Sequence, residues 1–244
     1  MIRFLIPTLF AAMILCAAAC EPSGEAGVPG AAGEASVTAG AGAAAPGGGT
    51  VDDPVVIAEA PTEVQVDGTL DDWAGVPRMP MPAMGGKASS VMFCWSDAGL
   101  YGAALVHDDS ITARGTDPYM ADSIEVWIEK DFARAADRTE NATQIVFAPA
   151  ESLAEGEGVV AAYGRDEPRQ SQVKCMWKKT NDGYAIEFMI PAKILAPAKL
   201  ESGTKVGFDF TLNDDGKPVE RFVMNKDDDQ AFRKPDKWGA AVLK

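Results

Sequence analysis

Residues 119–129, Tyr-Met-Ala-Asp-Ser-Ile-Glu-Val-Trp-Ile-Glu, set an aromatic ring immediately before a segment that alternates with a period of two. From Ser123 onward Ile124, Val126 and Ile128 share one face, and Glu125, Trp127 and Glu129 share the other. One wholly apolar face demands a second layer to pack against, so the segment predicts a strand of a layered β protein. The chemistry points in a compatible direction. The C–H face of a sugar ring is weakly apolar and stacks on an aromatic ring, while a fixed carboxylate accepts hydrogen bonds from its hydroxyls.

Short alternating or apolar runs repeat on both sides of that segment. They predict strands over Val55–Ile57, Glu63–Val66, Ser90–Ser96, Leu100–Val106, Ser123–Glu129, Gln144–Ala148, Val159–Tyr163, Gln172–Lys178, Tyr184–Ile190, Lys205–Leu212, Val219–Met224 and Gly239–Leu243. Asp-Gly, Asn-Asp and Gly punctuate the intervals. Only Pro191–Leu195 reads as helical, with Pro in the first turn. Many short strands between turn signals predict an all-β, two-sheet antiparallel sandwich. Of the five tryptophans, Trp73, Trp95, Trp177 and Trp238 are expected in the core. Trp127 is expected on the outer face, either covered by a loop or forming part of a binding platform.

The N-terminal end reads as an export signal over residues 1–19, with Arg3 followed by an apolar run that is short for a membrane span. Ala17-Ala18-Ala19-Cys20 resembles a bacterial lipobox, which implies acylation of Cys20. Glu21 after that cysteine resembles the outer-membrane sorting pattern of Gram-negative lipoproteins, so the expected location is the cell envelope. Residues 20–52 are nearly all Gly, Ala, Pro, Ser and Glu, too poor in apolar side chains to offset the entropy of ordering. They predict a flexible tether with a reach of roughly 30 Å. Residues 53–244 remain as one folded domain.

The 244 residues include 36 acidic and 22 basic side chains, a net charge of −14. That balance excludes nucleic acids and anionic membrane surfaces as partners of the domain itself, since both require a basic footprint. A single histidine, His107, excludes a multi-histidine metal centre. Beyond the signal and anchor, Cys94 and Cys175 remain. An oxidising exported setting allows a disulfide between them, and two free buried thiols are the alternative.

Several stretches, in order, resemble the family 9 carbohydrate-binding modules. They are Val66-Asp-Gly-Thr-Leu-Asp-Asp-Trp73, Cys94-Trp-Ser-Asp-Ala-Gly-Leu-Tyr101 with His107-Asp108, and Asp122-Ser-Ile-Glu-Val-Trp-Ile128. Gly183-Tyr-Ala-Ile-Glu187, Gly207-Phe-Asp209 and the ending Pro235-Asp-Lys-Trp-Gly239 follow. The resemblance implies a sandwich of the wider dopamine-monooxygenase-N-terminal (DOMON) type, which binds a terminal sugar between two aromatic rings without cleaving it. Carried over by position, the clamp rings become Tyr119 and Phe232, and the motif's carboxylate becomes Glu125. Where the family has polar Arg, Gln and Asn readers, this chain has Val146, Thr211 and Asp229; Gln144 lies two residues before Val146 as a substitute. The expected binding set is therefore Tyr119, Glu125, Gln144, Thr211, Asp229 and Phe232. The family also implies structural calcium, for which Asp71, Asp108 and Asp122 are candidate ligands.

The resemblance implies glycan or oligosaccharide partners, membrane contact through the lipid anchor, and partner glycosidases in carbohydrate catabolism. Two alternatives belong to other classes. Related sandwiches hold b-type haem through His, Met or Lys, and His107 with Met92, Met120, Met176, Met189 or Met224 would have to supply the ligands. Glycoside hydrolysis would need Glu125 and Asp229 to face one cleft as a carboxylate pair.

Overall fold

The computed structural model describes residues 48–84, 87–164, 166–224 and 227–244. The signal segment 1–19, Cys20 and the tether through residue 47 lie outside the described residues. Two sheets pack face to face. In chain order the strands are β1 (Val55–Glu59), β2 (Arg78–Met84), β3 (Lys87–Ser96), β4 (Gly99–His107), β5 (Ser123–Glu129), β6 (Ala142–Ala148) and β7 (Gly156–Glu157). They continue with β8 (Val159–Tyr163), β9 (Lys174–Thr180), β10 (Gly183–Pro191), β11 (Lys205–Asp214), β12 (Lys217–Arg221) and β13 (Gly239–Leu243). A one-turn helix, α1 (Ala192–Leu195), follows β10.

One sheet runs β13-β11-β5-β6-β8, with β12 paired to the far end of β11. The other runs β7-β9-β10-β4-β3, with β2 beside β3. Both share β1, whose Val55–Ile57 pairs with β13 and whose Ala58–Glu59 pairs with β3. Those two pairings are parallel, and all the others among the described strands are antiparallel.

The alternation read from 119–129 holds. Ile124, Val126 and Ile128 enter the core between the sheets, where Phe147 of β6 stacks on Phe188 of β10 with ring centroids 3.7 Å apart. Gly102 of β4 makes room for this stack, because a Cβ there would collide with the Phe188 ring. Trp95 and Trp177 join the same core. Trp73 packs with Val64, Met92 and Cys94 on the outer side of the second sheet. Trp238 packs with Trp127, Ala142, Met224 and Ala231 on the outer side of the first. Trp127 is thus covered, not a platform, with only 1% of its surface exposed.

Some expectations change. Glu63–Val66 forms no strand: the Gln65 N–H donates to Asp72 across a turn at 2.5 Å, so that segment's donors are used locally. Strand β2, which pairs with β3, carries Pro80 and Pro82, which signal against a strand. Cys94 and Cys175 are free and buried, not bridged. Cys94 sits on the outer side of β3 and Cys175 faces the inter-sheet core from β9. With β4 and β10 between them, their backbones are separated by three strand spacings, roughly 14 Å. A disulfide requires Cα atoms within about 7 Å.

Gly49, read as part of the tether, is buried against the domain. The Gly49 carbonyl accepts from the Ala240 N–H at 2.6 Å, and Gly49 packs against Phe222.

Candidate functional site

The outer face of the β11-β5-β6-β8 sheet carries a patch of polar side chains, and two loops fold over it. Register brings the patch together: Thr211 of β11 lies opposite Glu125, Glu125 opposite Val146, Trp127 opposite Gln144, and Gln144 opposite Tyr163. One wall is the turn Pro118–Met120, where Asp117 adopts a left-handed backbone and Tyr119 meets Tyr163 edge-on at 6.0 Å. The other wall comes from the 3-10 turn Ala231–Arg233 near the C-terminus and from the loop after β5.

That second wall is fixed by buried carboxylates. Glu129 accepts the backbone N–H groups of Arg134 at 2.7 Å and Ala135 at 2.9 Å. The Arg134 side chain donates to the carbonyls of Asp236, Trp238 and Gly239, and the Asp236 N–H returns to the Ala135 carbonyl at 3.0 Å. Asp209 of β11 accepts N–H groups from Phe210, Val223, Met224 and Gly239. Burial pushes Asp209 up to about 6 against the pull of these four donors. The loop after β5 and the C-terminal segment are therefore held to each other, which sets Arg138 beside Phe232. Arg138 Nε donates to the Phe232 carbonyl at 3.1 Å, and its guanidinium lies 5.7 Å from the centre of the Phe232 ring.

The result is a cleft of about 520 Å³ lined by Tyr119, Asp137, Arg138, Gln144, Tyr163, Phe232 and Arg233. This volume suits a small ligand. Tyr119 is 37% exposed, and its ring stands at the cleft wall.

Glu125 lies beneath the cleft. It is buried, and its two oxygens accept from Gln144 Nε2 and from Asn213 Nδ2, the latter at 2.9 Å. Burial pushes its carboxyl above the ordinary range, opposed by these two amides and by the charges of Arg221 and Arg138. Gln144 in turn accepts from Arg138 Nη2 at 2.5 Å. Glu125 thus positions Gln144, and Gln144 and Arg138 form the polar floor. Desolvation lowers the Arg138 guanidinium to about 10, with Glu125 opposing that fall and Arg233 adding to it.

Of the six expected residues, Tyr119, Gln144 and Phe232 line the cleft. Glu125 and Thr211 are buried on the patch below it. Asp229 is exposed and does not line the cleft. Sequence reading missed Asp137, Arg138, Tyr163 and Arg233, and left Asn213, part of a family-like motif, out of the binding set. Arg138 sits in an irregular loop without periodicity, and Tyr163 reaches the site only through the β6–β8 register. Neither position carries a local signal.

Residues 66–244 match a family model described as carbohydrate family 9 binding domain-like. The chain belongs to this family. Among solved structures it is similar to a family 9 carbohydrate-binding module from Caldicellulosiruptor kristjanssonii in complex with cellotriose. The TM-score is 0.62 with 22% identity, covering 78% of this chain and 93% of that one. The glucose complex of a module from the same organism gives 0.61 with 23% identity, covering 78% and 95%. A protein from Bacteroides uniformis gives 0.54 with 10% identity, covering 78% and 98%. No curated protein matches the chain.

The family 9 fold also locates the alternative chemistries. His107 Nδ1 lies 3.2 Å from Asp182, Met92 and Met224 are buried in separate clusters, and Met120 is exposed. Neither the Tyr119–Phe232 cleft nor the hollow beside Asp182 is lined by His107 or by a methionine. Glu125 is buried, and Asp229 does not line the cleft above it. Elsewhere, Asp108, Asp122 and Asp214 bring carboxylate oxygens within 4.8 Å of one another. Burial, together with the neighbouring Asp108, pushes Asp122 up to about 7, opposed by N–H donors from Asp215 and Thr112. Asp71 lies apart, in the opening turn.

Proposed function

We propose that this protein is a non-catalytic carbohydrate-binding module that holds a sugar ring between Tyr119 and Phe232. One observation carries the reading: Tyr119, Gln144 and Phe232, from three separate parts of the chain, line a single cleft of about 520 Å³. Aromatic walls and a polar floor match the amphipathic faces of a pyranose. The cellotriose and glucose complexes of the Caldicellulosiruptor modules support a saccharide ligand. In the same proposal, Cys20 is acylated and residues 20–47 tether the module to the outer membrane of a bacterial cell. There it would retain oligosaccharides or polysaccharides for partner glycosidases in carbohydrate catabolism. The lipobox-like Ala17–Cys20 and the composition of the tether support this part.

Calcium is proposed as a structural cofactor held by Asp108, Asp122 and Asp214. An all-oxygen, triply acidic set suits a hard divalent cation, and the charge of the ion would favour the ionised form of Asp122, which burial and the neighbouring Asp108 disfavour.

The test is a glycan-array screen of the mature protein in calcium buffer, with Tyr119→Ala and Phe232→Ala alongside. Each variant is expected to lose about 1–2 kcal/mol of affinity, roughly 5- to 30-fold, while keeping its circular dichroism spectrum. Wild-type affinity in both variants would sink the clamp.

A further inference from the structure

Resting on the saccharide reading above, the geometry points to a further specificity: we infer that the cleft selects a sugar ring bearing a carboxylate, of the hexuronate class, over a neutral one. Two guanidinium groups, Arg138 and Arg233, line it together, and both approach the Phe232 ring, at 5.7 Å and 5.2 Å. Among the described residues neither pairs with a carboxylate. The hydrogen-bond partners of Arg138 are neutral: the Phe232 carbonyl and the Gln144 amide oxygen.

Among the described residues Asp137 is the one acid that lines the cleft, and the acids Asp117, Glu125 and Glu167 act on its Tyr163 side, so the positive charge is confined to the Arg138–Arg233 side. Beneath the floor, Glu125 faces both Arg221 and Arg138, and its oxygens are committed to Gln144 and Asn213. This is a basic spot on a chain of net charge −14. Such a net charge disfavours acidic glycans over the surface at large, so an anion is favoured where the two guanidinium groups meet beside Phe232. Guanidinium groups suit it, because their planar N–H fork matches a carboxylate in two-point contact. A hexuronate ring combines both requirements. Its C–H face lies against Tyr119 or Phe232, and its C6 carboxylate turns toward Arg138 and Arg233.

The decisive comparison is isothermal titration of the mature protein with oligogalacturonate or oligoglucuronate, with the methyl ester of the same oligosaccharide, and with cello-oligosaccharide. The ester keeps the ring and removes the charge. The acid is expected to bind at least about tenfold more tightly than its ester, as for a charge-assisted contact, with the advantage shrinking as salt rises. Arg233→Gln, at an exposed position where folding is not at stake, is expected to narrow the acid-to-ester ratio. Equal affinity for acid and ester, or a preference for the neutral chain, overturns the inference while leaving saccharide binding intact. Absence of binding to every saccharide overturns the underlying proposal as well.

Discussion

Glu125 shows how a buried residue shapes the cleft above it. Its oxygens are filled by two amides, so replacing it with Gln sets an amide N–H₂ against the N–H₂ of Gln144 or Asn213. Glu125→Gln is expected to lower stability by about 1–3 kcal/mol, the cost of one buried donor without an acceptor. It should also weaken sugar binding, because Gln144 loses its fixed orientation; denaturant melts and titration of the same preparation check both. A variant as stable as wild type would remove the positioning role. The thiols make a second residue-scale prediction. Burial pushes Cys94 up to about 12 and Cys175 higher still, so both are expected to stay unreactive to a thiol reagent until the protein unfolds. A reductant should leave the melting temperature unchanged. The motif Asp122–Ile128 disclosed Glu125 and the ring before it, because strand alternation is local. Arg138 was hidden, since only the Glu129 and Arg134 contacts fold its loop against Phe232.

At the scale of elements, the turn Val66–Trp73 is the clearest case of a motif whose meaning is a long-range bond. Glu187 of β10 accepts the N–H groups of Asp67 at 3.0 Å and Gly68 at 2.6 Å with one oxygen, and the Trp73 indole N–H with the other. One carboxylate therefore fastens the first turn to the middle of the second sheet. Glu187→Ala orphans three buried or half-buried donors, and unsatisfied groups of this kind cost about 1–3 kcal/mol each. The expected result is a drop in stability of several kcal/mol, with loss of protection of the Gly68 amide in hydrogen exchange. A fall of less than about 1 kcal/mol would mean that the turn is held by its apolar contacts alone. Sequence periodicity located most strands, since core-facing residues such as Phe208 and Phe210 obey it locally. It could not show that β1 bridges both sheets through parallel pairings, because pairing partners lie far apart in the chain. Nor could it find β2, whose prolines argue against a strand until the neighbouring β3 is known.

For the whole molecule, the buried carboxylates and the net charge act in the same direction. Burial pushes Glu187 up to about 7, Asp122 to about 7 and Asp209 to about 6, all above their ordinary values of 4.5 or 3.8. A carboxyl with a raised folded pKa binds its proton more tightly in the native state than in the unfolded chain. Its contribution is fully present below the unfolded pKa and is lost as pH rises through the folded one. Without a bound cation, stability is therefore expected to fall as pH rises from about 4 to about 7, and repulsion within a chain of net charge −14 steepens the fall. The calcium proposed at Asp108, Asp122 and Asp214 would reverse part of this trend, since it would require the ionised form of Asp122 and compete with its proton. Scanning calorimetry of the mature protein between pH 4.5 and 8, with chelator or with calcium in excess, should give two curves that meet in acid and separate toward neutrality. The chelated curve should descend throughout. A chelated protein more stable at pH 8 than at pH 5 would contradict the raised carboxyls, and curves that coincide at every pH would remove calcium from the aspartate trio.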